Sequence, residues 1–335
     1  ITMNNLIILD SELQRKNEHY YASLNGGSEV VFTNYETDLI RKVRNFKYVG
    51  SALYHLLMWK KSYDYAKQFV KKDVQKIICL NPLVGIFLGV FNKTGKDITL
   101  AGFLFEEKKN KLYYNLRKVL VNKCLKNVKN VIVYSSKEVA YYSQIFPEFQ
   151  EKFSFVHYGL DYEDNHSYEG SLPEKFLFSG GGSNRNYNTI VKAVEKTQNS
   201  LPFVIATQPW RVPKHDKKIT VLDDVVVETF GDVLGKSEAL VLSLKDVDLS
   251  AGHMVMLQAM SLGVPIIVND IPSVRDYVDE SSVLFYKSED FNQLASILNE
   301  FNVNNPETIR RAENAKKLYF SNYTSKKLMD RLIEI

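Results

Sequence analysis

The chain has 335 residues, 45% hydrophobic and 24% charged, which is the composition of a soluble globular protein large enough for two domains. It has no run of about 18 apolar residues and no secretory signal pattern, so we expect a cytoplasmic protein without a transmembrane helix. Its two distant cysteines, Cys79 and Cys124, favour free thiols over a disulfide framework.

The net charge of +4 is divided unevenly along the chain. Residues 1–160 hold 24 basic and 14 acidic side chains, whereas residues 161–335 hold 19 and 25. A basic half joined to an acidic half indicates that the first half faces an anionic surface or acceptor. Solvated, Lys-rich helices would produce the same imbalance.

Short apolar runs predict a parallel sheet in the first half, because strands buried on both faces read as continuous hydrophobic segments. These runs are residues 6–9, 30–32, 76–80, 98–100 and 131–133. A basic helix is predicted over residues 110–127. Ser135 or Ser136 is expected to cap the helix that follows the last run.

Residues 41–76 interleave ten basic side chains with aromatic and large apolar ones. This mixture suits the interface of an anionic bilayer. Nucleic acid would be compatible electrostatically, but we find no nucleic-acid motif. An apolar face could equally pack on the domain's own sheet. We therefore expect one side of this segment to belong to the core and the other side to interact with a membrane surface.

The second half follows a polar stretch at residues 162–174, where we place the domain boundary. Further strands are predicted at residues 176–179, 203–207, 225–227 and 240–244. The first of these strands leads through Gly180, Gly181, Gly182 and Arg185 into a helix from Thr189. Three glycines let a phosphate approach the backbone closely, and a guanidinium forms forked bonds to phosphate.

The stretch from Ser250 to Asp270 predicts a loop, a helix, a tight turn and a strand. Ser250 is expected to be the helix N-cap, Gly263 the residue that ends the helix, and residues 266–268 a buried strand. A glycine-bearing loop that feeds a helix N-terminus offers unbonded N–H groups and a positive dipole end, which is an anion site. The alternative is an ordinary helix–turn–strand unit of an α/β core.

Gly263-Val264-Pro265-Ile266-Ile267 resembles the signature turn of GT-B glycosyltransferases, especially the retaining nucleotide-sugar enzymes of family 4. The loop at 180–186 resembles their diphosphate-binding loop, and residues 155–161 resemble their interdomain linker. The resemblance implies two doubly wound Rossmann-like α/β domains that face each other across a cleft. Residues 1–158 would bind the acceptor and residues 159–335 the nucleotide sugar, with a last helix that often crosses back to the first domain.

The resemblance also implies site residues. His253, Glu106 and His19 are the catalytic candidates. The donor-binding candidates are Gly180, Gly181, Gly182, Arg185, Asn186, Thr207, Ser250, Ala251, Gly252 and Gln258.

The chain departs from the family pattern at several of these positions. Two family glutamates are replaced by Ser250 and Gln258, which bind hydroxyl groups without carrying charge. The family histidine of the first domain is missing, so Glu106 and Glu107 are the acid–base candidates there, unless they form the acidic start of the next helix. The family's second cation has no clear counterpart, and Lys245 is the one we consider.

The implied activity is transfer of a hexose-type unit, with retained configuration, from a nucleotide-diphosphate sugar to a hydroxyl of a saccharide or lipid-linked saccharide. A UDP-sugar is the expected donor, and neither a metal nor another cofactor is expected. Such a protein would work in cell-surface polysaccharide or glycoconjugate synthesis, peripherally on the inner face of the membrane. Alternative functions are a non-catalytic subunit that supports a partner glycosyltransferase, or a nucleotide-sugar epimerase. For partners, a homo-oligomer of this chain and a complex with another glycosyltransferase both stay open.

Overall fold

A computed structural model describes residues 5–9, 28–33, 50–107, 110–162, 166–198, 201–249 and 252–335. The chain forms two compact units. The first unit comprises Ile1–Val156 and Met329–Ile335, and the second comprises His157–Leu328. Within the described part of the chain, no helix is both long enough and apolar enough to cross a bilayer.

The first unit contains a parallel sheet of six described strands. Five of them coincide with the apolar runs in the sequence, which confirms those predicted strands. The strands are β1 (Asn5–Leu9), β2 (Glu29–Phe32), β3 (Lys76–Cys79), β4 (Asp97–Ala101), β5 (Asn130–Val133) and β6 (Phe153–Phe155), in the order β2-β1-β3-β4-β5-β6. The helices are α1 (Gly50–Phe69), α2 (Pro82–Phe91), α3 (Lys111–Asn127) and α4 (Ser136–Ile145). The central strands are buried from their second residue onward, so this sheet is the core of the unit.

Side-chain caps define where the helices of the first unit begin. Ser135 caps α4 by accepting a bond from the N–H of Lys137, as predicted. Asn110 caps α3 by accepting from the N–H of Tyr113, so α3 begins at Lys111 with no acidic residue in its first turn. The interpretation of Glu106 and Glu107 as the acidic start of this helix is therefore wrong, because both precede the N-cap residue Asn110.

The second unit contains another parallel six-stranded sheet. Its strands are β7 (Leu177–Gly180), β8 (Phe203–Ala206), β9 (Ile219–Leu222), β10 (Ala239–Leu242), β11 (Ile266–Asp270) and β12 (Leu284–Lys287), in the order β12-β11-β10-β7-β8-β9. The helices are α5 (Tyr187–Lys196), α6 (Val227–Gly235), α7 (His253–Leu262), α8 (Pro272–Arg275), α9 (Phe291–Glu300), α10 (Pro306–Asn322) and α11 (Ser325–Glu334), the last of which ends among residues of the first unit. The order reverses between β7 and β10, as expected of a doubly wound sheet.

The predicted strand at residues 225–227 is wrong. The third strand of the second unit is β9, and Val227 instead begins helix α6. Val226 and Val227 are 53% and 63% exposed, so their β-branched side chains have no neighbouring strand to pack against. Strand propensity without burial does not make a strand, because it reflects packing on a pleated surface.

The start of α7 also differs from the prediction. The N-cap position is Gly252, with φ +85° and no side-chain cap, whereas Ser250 lies outside the described residues. Ser250 cannot be the N-cap of a helix that begins at His253. The other end agrees with the sequence, since Gly263 ends α7 in the left-handed conformation at φ +73°.

Candidate functional site

The topology of the second unit places two loops side by side. β7 and β10 are adjacent in the sheet, and their chains leave it at the same edge toward α5 and α7. The loops are joined by backbone bonds, from the N–H of Asn186 to Ser243 O at 2.8 Å and from the N–H of Lys245 to Asn184 O at 2.9 Å. In open α/β sheets, ligands bind at this reversal of strand order, outside the carboxyl ends of the strands.

The loop after β7 needs glycine at Gly181. Its φ is +100°, a conformation that side chains disfavour, and an added Cβ would lie 2.5 Å from Nη2 of Arg185. The Gly181 carbonyl accepts bonds from the Tyr187 hydroxyl at 2.5 Å and from Thr207 Oγ1 at 3.1 Å. These bonds fix the backbone of the loop, and the Arg185 guanidinium packs directly against Gly181.

Arg185 is a buried cation, with 9% of its surface exposed. Its Nε donates to Gly180 O at 2.9 Å and its Nη1 donates to Ser183 O at 2.8 Å. Burial lowers the pKa of this guanidinium, yet arginine keeps its charge in proteins. Among the described residues, no carboxylate forms an ion pair with it.

A buried charge without a counter-ion is unfavourable unless a ligand supplies one. The two bonds to carbonyls use two of the five N–H donors of a guanidinium. Among the described residues no other group accepts from this guanidinium, which leaves three donors for an anion, and the geometry of the fork matches phosphate or carboxylate oxygens. Arg185 thus marks an anion site at the end of β7.

The start of α7 lies next to the same guanidinium. A Cβ added at Gly252 would lie 3.4 Å from Arg185 Nη1 and 2.8 Å from Leu244 Cδ2. The first helical bond of α7 runs from the N–H of Met256 to Gly252 O, so the N–H groups before it have no partner within the helix. Two backbone spans and one guanidinium therefore meet at one point, as the anion-site hypothesis requires.

His253, the first residue of α7, is buried and neutral. Its Nε2 lies 2.9 Å from Ser273 O, and its ring packs on that of Tyr277 with 4.3 Å between centroids. Burial is the main cause that lowers the pKa of His253 to about 4. The charge of Arg185 acts in the same direction, whereas Ser273 and Asp276 oppose the shift. Because a carbonyl only accepts, Nε2 carries the proton and Nδ1 is an acceptor. The neutral ring can therefore accept a bond from a hydroxyl but has no second proton to donate to a phosphate.

Other predicted donor-binding residues shape the loop. Asn186 caps α5 by accepting from the N–H of Thr189 at 3.3 Å, and Thr207 holds Gly181. Gly180 ends β7 and Gly182 lies on the loop, and an added Cβ at these positions would meet Phe230 and Arg211 respectively. Gln258 is buried on α7.

The remaining candidates lie elsewhere. Glu106 follows β4 in the first unit, where its carbonyl accepts a bond from Arg117. Ser250, Ala251 and His19 lie outside the described residues. Among the residues that the structure describes, no group of three His, Cys, Asp or Glu side chains is placed to hold a metal ion.

The sequence did not single out three residues that position this site. Tyr187 anchors Gly181, and Arg211 Nη1 donates to Gly182 O at 2.7 Å, which puts a second cation beside the glycine loop. Asn269 is buried and exchanges bonds with the backbone of Leu244 at 2.7 and 2.8 Å, fixing the chain that leaves β10. Arg211 was recognisable as an arginine soon after the second strand, whereas Asn269 had no local signal.

No protein-family model matches this sequence, and no curated protein does. Solved structures do match. Alr3699/HepE of Anabaena in complex with UDP superimposes with a TM-score of 0.68 at 11% identity, with 99% of each chain covered. Sucrose-phosphate synthase of Thermosynechococcus elongatus gives 0.67 at 14% identity, covering 99% of this chain and 98% of that one.

A third structure, of TarM, gives a TM-score of 0.59 at 14% identity and covers 82% of this chain and 57% of its own. Identities this low speak to architecture alone. The chain has two parallel six-stranded sheets flanked by helices and matches HepE and sucrose-phosphate synthase over 99% of its length, which establishes that the protein has the GT-B fold.

Proposed function

We propose that this protein is a glycosyltransferase that moves a sugar from a nucleotide-diphosphate sugar to a hydroxyl group. The observation that carries the proposal is Arg185, a buried guanidinium that pairs with no carboxylate of the described chain, set between the glycine loop and the start of α7. A diphosphate is the anion that such an arrangement fits, because it presents several oxygens to backbone N–H groups and a forked cation together. The matching HepE structures contain UDP and UDP-glucose, which supports a UDP-sugar as donor.

In this proposal, the N–H groups of Gly182 and Ser183, the start of α7 and Arg185 bind the diphosphate. Arg211 adds a second cation at the glycine loop. Ser250 and Gln258 would bind hydroxyl groups of the ribose or the sugar as neutral partners. His253 would accept a bond from a sugar hydroxyl through Nδ1.

The proposed chemistry breaks the bond between the anomeric carbon and a diphosphate oxygen, which leaves with the bonding electron pair. The anomeric carbon forms a new bond to the acceptor oxygen, and the hydroxyl proton passes to Glu106, the proposed acid–base group. Negative charge grows on the departing diphosphate. Donors that are already fixed around that charge stabilise the transition state without reorganising. In this scheme Arg185 and the helix start neutralise the leaving group, so we infer a metal-independent reaction. Retention of configuration is what the resemblance to family 4 implies.

The acceptor is proposed to be a saccharide or lipid-linked saccharide bound by the first unit, in cell-surface polysaccharide or glycoconjugate synthesis on the cytoplasmic side of a membrane. The basic excess of residues 1–160 supports an anionic acceptor or surface. Glu106 is the proposed acid–base group of that unit.

A panel of UDP-, GDP- and TDP-sugars tests this function, with hydrolysis and transfer measured for each donor. We expect turnover of at least one donor, loss of that turnover in Arg185→Ala, and retained anomeric configuration in the product by NMR. Conversion of the sugar without an acceptor would instead identify an epimerase.

The alternative is a non-catalytic subunit that supports a partner glycosyltransferase. It is favoured by one observation, that serine and glutamine occupy positions 250 and 258, where family 4 has glutamates. Calorimetry separates the two functions. A catalytic subunit binds UDP, whereas absence of binding by any nucleoside diphosphate would favour the supporting role.

A further inference from the structure

The helices α1 and α3 of the first unit expose large apolar side chains in regular stripes. On α3, Leu112, Leu116 and Val119 are spaced as successive turns of one helical face and are 71%, 62% and 56% exposed. On α1, Leu53 and Leu56 are 40% and 67% exposed. Clustered exposure of this kind marks an interaction surface, because soluble proteins rarely leave large apolar patches open to water.

The two stripes belong to neighbouring helices. The ring of Trp59 on α1 lies 6.4 Å from that of Tyr113 on α3 and 5.7 Å from that of Phe87 on α2, measured between centroids. α2 is mostly buried between its neighbours, so α1 and α3 supply the exposed surface of this layer. We call Leu53, Leu56, Leu112, Leu116 and Val119 the apolar face.

The charge around the apolar face is almost entirely positive. α3 has no acidic residue, and its basic residues are Lys111, Arg117, Lys118, Lys123 and Lys126. The exposed side of α1 adds Lys60 and Lys67, with one carboxylate, Asp64, which pairs with Lys60 at 2.8 Å. Exposed aliphatic side chains flanked by lysines are the pattern of a helix surface that lies in the headgroup region of an anionic bilayer.

We infer that α1 and α3 form a docking surface for an anionic lipid bilayer, into which the apolar face inserts. A second copy of this chain is a poorer occupant, since pairing two such faces would bring lysines against lysines. Nucleic acid is also a poorer occupant, because the most exposed side chains are aliphatic. The aromatic ones, Tyr63 and Tyr113, are only 38% and 39% exposed and are held in ring contacts with Phe87 and Trp59. The inference does not depend on sugar transfer.

Vesicle sedimentation of the full chain without any nucleotide tests the inference. We expect binding to vesicles of phosphatidylcholine mixed with phosphatidylglycerol, weaker binding at high salt, and little binding to phosphatidylcholine alone. The variant L112S/L116S/V119S should lower the partition coefficient about tenfold or more, because insertion of aliphatic groups supplies much of the binding. The variant K123E/K126E should lower the partition coefficient on mixed vesicles, because it replaces two positive charges by negative ones that the anionic lipid repels.

The matched control is I309S/F320S, which removes two comparably exposed apolar side chains from α10 in the second unit and should bind as the parent does. All substituted positions are at the surface, so circular dichroism and the melting temperature should show each variant folded. Absence of parent binding to mixed vesicles at low salt would overturn the inference, as would equal loss in the control. A change of oligomeric state in L112S/L116S/V119S without loss of vesicle binding would assign the face to self-association instead.

UDP calorimetry on the same variants keeps this result separate from the proposed function. L112S/L116S/V119S should retain the UDP affinity of the parent. Vesicle binding without any UDP binding would preserve the docking surface and reject the glycosyltransferase.

Discussion

Replacing Arg185 by alanine removes the guanidinium that lies between the two backbone spans. Each hydrogen bond from a charged donor contributes about 1.5–3 kcal/mol, and the side chain is already ordered by its bonds to Gly180 O and Ser183 O. We therefore expect UDP to bind about 1–3 kcal/mol more weakly, which is roughly 5- to 150-fold in Kd. Arg185→Lys should recover part of the loss, since it restores the charge but not the fork.

The stability effect of Arg185→Ala should be smaller than its binding effect. Alanine leaves two loop carbonyls without a side-chain donor, but it also removes a buried charge that has no described carboxylate partner. The assay is isothermal titration with UDP, accompanied by thermal unfolding. Arg310→Ala is the matched control, because it deletes an exposed arginine of the same unit that pairs with Glu307. Equal UDP affinity in the parent, Arg185→Ala and Arg310→Ala would refute the assignment of Arg185 to the donor site.

Two further substitutions test the backbone and the histidine. Gly181→Ala should lower stability, and it should lower UDP affinity by about tenfold, because its Cβ would displace the Arg185 guanidinium. The control is Gly95→Ala, where φ is +71° and the space is open, so this variant should lose only about 1 kcal/mol of stability and keep its UDP affinity. Equal UDP affinity in both variants, measured by calorimetry, would argue against a role for the glycine loop. For His253, the folded pKa of about 4 lies below the ordinary 6.5, so the unfolded chain binds more protons between these values and stability should rise with pH across that window by up to about 3 kcal/mol. The free energy of unfolding, measured with denaturant from pH 4 to 7, should rise less with pH in His253→Gln than in the parent. An equal rise in both proteins would mean that the His253 pKa is not lowered by folding.

Most strands were predictable because buried parallel strands are continuous apolar runs, and the ends of α7 and α4 were marked by Gly263 and Ser135. The glycine loop and Arg185 were also recognisable from the sequence. What the sequence could not give was the burial of Arg185 and its bonds to the loop carbonyls, which depend on how the chain folds back. A local pattern says nothing about such contacts.

The errors have the same origin. Residues 225–227 have strand propensity, but no neighbouring strand buries them. The hydrogen bond from His253 Nε2 to Ser273 O joins residues 20 positions apart, so no local pattern indicated it. α3 was identified as a basic helix because its lysines dominate the pattern, and only the fold shows that Leu112, Leu116 and Val119 are exposed together. Tertiary packing decides each of these points, and a local sequence pattern does not contain it.

The most direct test of the account is a crystal structure with UDP bound. We predict that its diphosphate lies at the end of β7, within hydrogen-bond distance of the Arg185 guanidinium, the N–H groups after Gly181 and the first N–H groups of α7. UDP bound elsewhere, with this position left to solvent, would contradict the central claim.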